Sequence, residues 1–175
     1  MTLSGCVSAN ASLEAFWVGG SGCVLSRCVT PGASSSGFRL TGSGNTLSGC
    51  VADGCGNHAV RLQSNGNLVT GCRIGLVSPI LGAGIQLEGA SGNVVSSCTI
   101  ADADGSGIEV GPYGDARCNR LERNRVSGSA YGIYLSNAYD ASDNWLEANT
   151  VTGNTSGGIR VDSDDNVIVR NKASA

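Results

Sequence analysis

The chain has 175 residues, which suits one domain of ordinary size. Its 27 glycines, its low share of charged residues (14%) and its lack of a long helix-forming stretch exclude a helical bundle and indicate many short strands joined by tight turns. The net charge of −3 without a Lys/Arg-rich run argues against a nucleic-acid partner, and no apolar run approaches the ~18 residues that a membrane helix needs.

A motif led by Asn, with an aliphatic residue two positions later and Cys or Asn five positions later, recurs along the whole chain. Its eight copies, of which the first two lack the leading Asn, begin at Met1, Cys23, Asn45, Asn67, Asn93, Asn119, Asn144 and Asn166. Successive copies start 22 to 26 residues apart. Self-similarity at this period predicts a solenoid in which each coil contacts only its neighbours.

A second motif, a small residue followed by an apolar residue, any residue and an aliphatic residue, alternates with the first. Its seven copies begin at Ala15, Gly37, Ala59, Gly84, Gly107, Gly132 and Gly158. Because alternate side chains of a strand face opposite sides, the second and fourth positions should face the core and the third should face outward.

Two further sets of residues are predicted to form interior columns. The aliphatic residues of the Asn-led motif form one column, at Leu3, Leu25, Leu47, Val69, Val95, Leu121, Leu146 and Ile168. A shorter column comprises Ile74, Ile100, Val126 and Val151. Three short strands per repeat predict one all-β domain, residues 1–175, built as a parallel β-helix of about seven coils of 22 to 26 residues.

Cysteine and asparagine share one position of the repeat. The residues are Cys6, Cys28, Cys50, Cys72, Cys98, Asn124, Asn149 and Asn171. Stacked coils should place them above one another as a packing ladder, with Asn amides bonding from coil to coil and Cys acting as a small buried residue. Parallel side chains do not converge as a metal site or a disulfide requires, so reduced thiols are predicted. Cys23, Cys55 and Cys118 fall outside this column, at turn positions.

The two alternating motifs resemble the right-handed parallel β-helix repeats of the pectate-lyase-like superfamily, including its NosD-type carbohydrate-binding and sugar-hydrolase repeats. The resemblance covers essentially the whole chain and implies a right-handed, single-stranded β-helix. It also implies that polysaccharide binds along the outer face of the strand formed by the second motif, at an extracellular, cell or virion surface. The signature motifs of polygalacturonases and the Asp-Pro-His-Asp run of alginate epimerases are absent.

The outward position of the second motif carries large polar and aromatic side chains. They are Trp17, Arg39, Arg61, Gln86, Glu109, Tyr134 and Arg160. Aromatic faces stack on sugar rings and Arg pairs with carboxylates, so this strip suits an acidic polysaccharide. The alternative is an ordinary solvent-facing strip with Arg–Glu pairs between coils.

Two adjacent coils carry insertions after the second motif, namely GPYGDARC (111–118) and SNAYDASD (136–143). Insertions on one side of neighbouring coils build a wall over a rigid scaffold, where function tends to lie. A smaller insertion around Pro79 should flank the other side. The predicted groove lies over Glu109, Tyr134 and Arg160, with walls contributed by Tyr113, Asp115, Tyr139, Asp140 and Asp162.

Two chemistries fit this groove. An inverting hydrolase needs two carboxyl groups ~6.5–9.5 Å apart, a spacing that one or two coils supply, and Glu109 with Asp140 would serve. A lyase needs a base near a neutralised uronate, and Arg160 would serve. The candidate catalytic residues are therefore Glu109, Asp140 and Arg160, and the candidate substrate-binding residues are Trp17, Arg39, Arg61, Gln86, Tyr113, Asp115, Tyr134, Tyr139 and Asp162.

Three further features complete the sequence expectations. No cofactor is expected, although the acidic run from Asp162 to Asn166 has oxygen ligands of the kind that Ca²⁺ takes. His58 is interpreted as a turn residue. The chain begins in mid-coil without a visible signal peptide or capping helix, so we expect a segment of a longer protein or end coils covered by association with another copy.

The functional alternatives are carbohydrate recognition, with or without catalysis, and a non-catalytic spacer or adhesion module.

Overall fold

The computed structural model describes residues 1–75 and 82–174. Within this part of the chain there is no helix, and 22 short strands form three parallel sheets. The first sheet, formed by the Asn-led motif, contains β1 (Thr2–Ser4), β3 (Val24–Ser26), β6 (Thr46–Ser48), β9 (Leu68–Thr70), β12 (Val94–Ser96), β15 (Arg120–Glu122), β18 (Trp145–Glu147) and β21 (Val167–Val169).

The other two sheets complete each coil. The second sheet contains β4 (Val29–Ala33), β7 (Val51–Cys55), β10 (Arg73–Ile74), β13 (Thr99–Ala101), β16 (Arg125–Ser127), β19 (Thr150–Thr152) and β22 (Lys172–Ser174). The third contains β2 (Phe16–Val18), β5 (Phe38–Leu40), β8 (Val60–Leu62), β11 (Ile85–Leu87), β14 (Ser106–Val110), β17 (Tyr131–Leu135) and β20 (Gly157–Val161). Every strand pairs with its counterpart one coil away, which confirms the predicted three-strand coil.

The three predicted interior columns form most of the core, together with buried cysteines and alanines, although Ile168 at the end of the first column is 46% exposed. Leu47, Val69 and Val95 are partners in consecutive strands of the first sheet and are fully buried. In the third sheet the inward pairs from Phe38/Leu40 to Ile133/Leu135 are equally buried. Each coil has one apolar face too small to form a core by itself, so the stack as a whole supplies the hydrophobic stabilisation.

The corner between the third and first sheets is held by the leading asparagines of the repeat. In each coil the Asn Oδ1 accepts a hydrogen bond from the backbone N–H of the equivalent residue one coil earlier. Asn67 donates to Asn93 at 2.8 Å, Asn93 to Asn119 at 2.8 Å and Asn119 to Asn144 at 2.8 Å. These bonds satisfy buried backbone donors at a corner where the sheet hydrogen bonding is interrupted.

The corner between the first and second sheets holds the Cys/Asn column. The Cys50 thiol donates to the carbonyl of Leu25 at 3.6 Å, and the Asn149 amide donates to the carbonyl of Leu121 at 2.8 Å. Both acceptors are the interior aliphatic residue of the preceding coil. Cysteine therefore replaces asparagine here as a weak donor as well as a small apolar group. All eight cysteines are free.

Candidate active-site cleft

The outward column of the third sheet has the register that the sequence predicted. From β2 to β20, Trp17, Arg39, Arg61, Gln86, Glu109, Tyr134 and Arg160 are partners in consecutive strands. This alignment places seven side chains along one outer face of the solenoid.

Each arginine of this column is paired with a carboxylate. Arg39 contacts Glu14 at 3.0 Å, Arg61 contacts Glu88 with Nε and Oε2 2.6 Å apart, and Arg160 contacts Asp162 with Nη2 and Oδ2 2.6 Å apart. The positive charges of the strip are thus compensated within the protein.

A cleft of about 610 Å³ opens over β8, β11, β14 and β17. Its lining includes five residues proposed from sequence, namely Arg61, Gln86, Glu109, Tyr113 and Tyr134. It also includes residues that the sequence reasoning did not select, namely Asn57, His58, Gly105, Ser106, Pro112, Ala130 and Tyr131. A concave site lined by aromatic rings and a few polar groups is the usual form of a ligand site.

Glu109 is the central carboxyl of the cleft. It is half-buried, and Gln86 Nε2 donates a hydrogen bond to its Oε2 at 3.0 Å. Burial raises the pKa of Glu109 above its ordinary value, and the hydrogen bond from Gln86 opposes part of this rise. Within the described residues Glu109 forms no ion pair. The cleft therefore holds a carboxyl group that loses its proton at a higher pH than an ordinary glutamate does.

Gln86 itself is an outward residue that is almost fully covered. Only 2% of its surface is exposed, and among the described residues its Oε1 has no hydrogen-bond partner. A buried acceptor without a partner is energetically costly, so the covering of Gln86 carries an unfavourable free-energy contribution.

His58 lies just before β8 and is 6% exposed. The backbone N–H of Ala83 donates to its Nδ1 at 3.0 Å, so the proton of the neutral ring is on Nε2. Burial, together with the nearby charge of Arg61, lowers the pKa of His58 to about 4. His58 lies in the connection between β7 and β8 and contributes an uncharged imidazole to the cleft.

Tyr131 and Tyr134 line the cleft, and Arg160, which is not one of the lining residues, packs against both rings. The rings of Tyr131 and Tyr134 have centroids 5.6 Å apart, and the Arg160 guanidinium lies 5.3 Å and 5.1 Å from them. Arg160 Nη1 donates to the Tyr131 hydroxyl at 2.9 Å, while the Tyr134 hydroxyl donates to Asp162 at 3.2 Å. Tyr113, from the first insertion, is 61% exposed and lines another side.

The sequence contained a signal for His58 and Tyr131. The residue before the small residue of the second motif forms a further column, in which Ser106 and Tyr131 are paired in register. In sequence this column reads Glu14, Ser36, His58, Ala83, Ser106, Tyr131 and Gly157. His58, Ser106 and Tyr131 of this column line the cleft together with members of the outward column. Glu14, the first member, forms the ion pair with Arg39.

The structure does not bring Asp140 to Glu109. Asp140, Tyr139 and Asp162 line a second cavity of about 440 Å³, where Arg117 pairs with Asp140 and Asp115 accepts a hydrogen bond from the Asp140 N–H at 3.3 Å. The two carboxyl groups proposed as a catalytic pair therefore lie in different cavities. The insertion around Pro79, predicted to flank Glu109, lies outside the described residues apart from its end.

Trp17 and Arg39 lie far along the strip from the cleft lining. Trp17 is exposed, with the Arg39 guanidinium 5.5 Å from its ring and its Nε1 donating to Thr41 at 3.0 Å. They are four and three strands from Glu109 in the sheet order. A ligand that fills the cleft alone would not reach them.

Neither a metal-binding cluster nor a membrane-spanning helix is found among residues 1–75 and 82–174. No group of three or more His, Cys, Asp or Glu side chains is arranged there to hold a metal ion, and calcium at the Asp162–Asn166 run stays a prediction. No helix of sufficient length and apolarity to cross a membrane is present in this part of the chain.

Comparison with known proteins gives a family and two structural neighbours. The family model described as "right handed beta helix region" matches residues 1–138 and 83–174. The A-module of the Azotobacter vinelandii mannuronan C-5 epimerase AlgE6 superposes with a TM-score of 0.71 at 16% identity, covering 99% of this chain and 58% of that one. For the AlgE4 A-module of the same organism the TM-score is 0.61 at 15% identity, with 100% and 55% coverage.

The chain thus spans just over half the length of each of these modules. At these identities the likeness concerns the fold. No curated protein shows significant similarity to the chain.

Proposed function

The chain belongs to the right-handed β-helix family, and we propose that it binds a polysaccharide in the cleft beside Glu109 and donates a proton from that carboxyl to a glycosidic oxygen. The structural neighbours, by their names, act on mannuronan, which is a polysaccharide. Their likeness extends over essentially the whole of this chain and concerns the fold, so it supports a polysaccharide ligand only as a class.

The observation that carries the proposal is the state of Glu109. A general acid must keep its proton at the working pH, and enzymes achieve this by placing the carboxyl in a partly apolar, desolvated site. Burial raises the pKa of Glu109 in this way, and the tyrosines around it provide the desolvating surface.

The cleft is also suited to hold a sugar. Tyr113, Tyr131 and Tyr134 offer ring faces on which the apolar face of a pyranose can stack. His58, Gln86 and Asn57 offer uncharged polar groups for its hydroxyls. This mixture of aromatic surface and neutral hydrogen-bonding groups supports a carbohydrate ligand.

Proton donation fits this cleft better than uronate proton abstraction. Arg160, the base considered for a lyase, has its pKa raised by its hydrogen bonds to Asp162 and Tyr131, so it holds its proton. Arg61, the cation that lines the cleft, is engaged with Glu88. A lyase would need a free cation to neutralise the uronate, and the hydrolytic role requires none.

The test is Glu109→Gln, which keeps the size of the side chain and removes the acid. With a polysaccharide that the wild type cleaves, we expect turnover to fall by ~10²–10⁴-fold with little change in Kd, because proton transfer is worth about that much. Wild-type turnover should also fall as the pH rises through the raised pKa of Glu109, since the protonated form is the active one.

New reducing ends, counted against unsaturated uronate ends, distinguish hydrolysis from elimination. Glu122→Gln is the matched control, because Glu122 is a half-buried carboxylate on the first sheet. Full turnover by Glu109→Gln, or unsaturated ends as the product, would refute the assignment.

A non-catalytic recognition module is the second candidate. One observation favours it: among the described residues, Glu109 is the only carboxyl that lines the cleft, whereas hydrolysis usually uses two. Binding of a glycan without turnover of any polymer, at any pH at which the protein is folded, would establish this alternative.

A further inference from the structure

We infer that the sugar unit held at the centre of the cleft is uncharged, a neutral hexose or an N-acetylated amino sugar, and not a uronate. This inference rests on the proposed function, since it names the substrate class of the same cleft. It departs from the acidic polymer that the sequence suggested, because that expectation required the arginines of the outward column to be free.

The cation that lines the cleft is already paired with a carboxylate. Arg61 uses both Nε and Nη2 to contact Glu88, and Gln63 donates to the same carboxylate at 3.1 Å. A uronate could reach the Arg61 guanidinium in this mode only by displacing Glu88. Exchanging one carboxylate for another gains no charge neutralisation and leaves Glu88 without its partner.

Glu109 makes binding of an anionic sugar unit in the cleft less favourable. The groups around it in the cleft are Gln86 from β11 and Tyr134 from β17, with the neutral His58 and the paired Arg61 further along. None of these offers a free positive charge. A uronate beside Glu109 is repelled whenever Glu109 is ionised, so it binds only while Glu109 holds its proton, whereas a neutral sugar binds beside either form of Glu109.

Apart from Arg61 and Glu109, the polar side chains that line the cleft are uncharged. Asn57 and Gln86 carry neutral amides, and His58 Nε2–H is a donor for a sugar hydroxyl or an acetamido oxygen. These groups bind a neutral sugar unit without an ion pair.

The experiment compares matched pairs of oligosaccharides by calorimetry at neutral pH. Each pair has one backbone and linkage, in a uronate form and in its carboxyl-reduced neutral form. We expect the neutral form of the recognised backbone to bind at least about tenfold more tightly, a difference of about 1.4 kcal/mol. Its affinity should be nearly independent of salt, because no ion pair forms.

The Glu109→Gln variant localises the effect. Removing the carboxyl should narrow the gap between the two forms by several-fold, while Glu122→Gln on the first sheet should leave it unchanged. Tighter binding of the uronate form, or a gap unaltered in Glu109→Gln, would overturn the inference and leave the proposed function intact. Failure of both forms of every backbone to bind would instead count against the proposed function itself.

Discussion

The burial of His58 links the stability of the fold to pH. Its imidazole is buried, accepts a backbone hydrogen bond at Nδ1 and has its pKa lowered to about 4, whereas the free side chain titrates near 6.5. Between pH 6.5 and about pH 4, the imidazole of His58 is mostly protonated in the unfolded chain and mostly neutral in the folded protein. The stability of the fold should therefore decrease as the pH falls through this window.

The variant His58→Gln removes this proton linkage. The wild type should lose stability relative to the variant between pH 6.5 and about 4, by a total on the order of 3 kcal/mol. Urea denaturation of both proteins at a series of pH values measures the difference. Parallel pH profiles would show that His58 is protonated equally in both states.

Sequence reasoning found part of the cleft and missed part of it. Glu109, Tyr134 and Gln86 were predictable because strand alternation fixes which side they face. His58 and Tyr131 were missed because their column precedes the small residue of the motif, where the alternation does not apply. Asp140 lines a different cavity from Glu109, which the sequence could not reveal because an insertion shows its length there but not the direction in which it folds.

At the scale of the strand, the small residue that opens the third-sheet motif is required by packing. A Cβ built on Gly132 would overlap Cγ1 of Val151 and would lie 2.7 Å from the carbonyl oxygen of Gly158. The neighbouring strands and the second sheet therefore approach too closely at this corner for a methyl group. Gly157, one strand later, has Tyr131 Cδ1 at 3.4 Å as its nearest neighbour.

The pair Gly132→Ala and Gly157→Ala tests this close approach. Gly132→Ala should destabilise the protein by about 1–3 kcal/mol, because overpacking forces the backbone to move. Gly157→Ala should change stability by less than about 0.5 kcal/mol, as ordinary surface substitutions do. The measurement is the urea midpoint of each variant, and equal midpoints would contradict the packing argument.

Strand positions were the most predictable elements, because apolar residues repeat at the same place in every coil. The coverage of Gln86 was not predictable, since its position in the repeat is outward and only neighbouring side chains and loops decide its burial. Arg–Glu pairs between coils were one of the two alternatives for the outward strip, but the sequence did not identify Glu88, 27 positions away in the next coil, as the partner of Arg61.

For the whole molecule, the reactivity of the cysteine thiols reports how often the coils of the β-helix open to solvent. Cys118 is exposed and Cys6 is partly covered, whereas the other six thiols are buried. The thiolate is the reactive form, and burial raises the pKa of Cys55 to about 11. A buried thiol should react only when its coil opens.

Alkylation under native conditions, followed by mass spectrometry, should therefore modify Cys118 first and Cys6 second. The six buried cysteines should follow at least about tenfold more slowly, at rates set by local or global opening. Added urea should accelerate the six and leave Cys118 almost unchanged. Early modification of Cys50 or Cys72 in native buffer would show that the central coils open independently. Association of the end coils with another copy stays a prediction.

The two insertions after β14 and β17 leave the pairing on both sides of them unchanged. Glu109 still aligns with Tyr134 before the insertions, and Leu121 aligns with Leu146 after them. The length of this corner is thus a variable that can evolve, or be engineered, without altering the strand pairing. New ligand specificity is reachable from such a scaffold by changing one loop at a time.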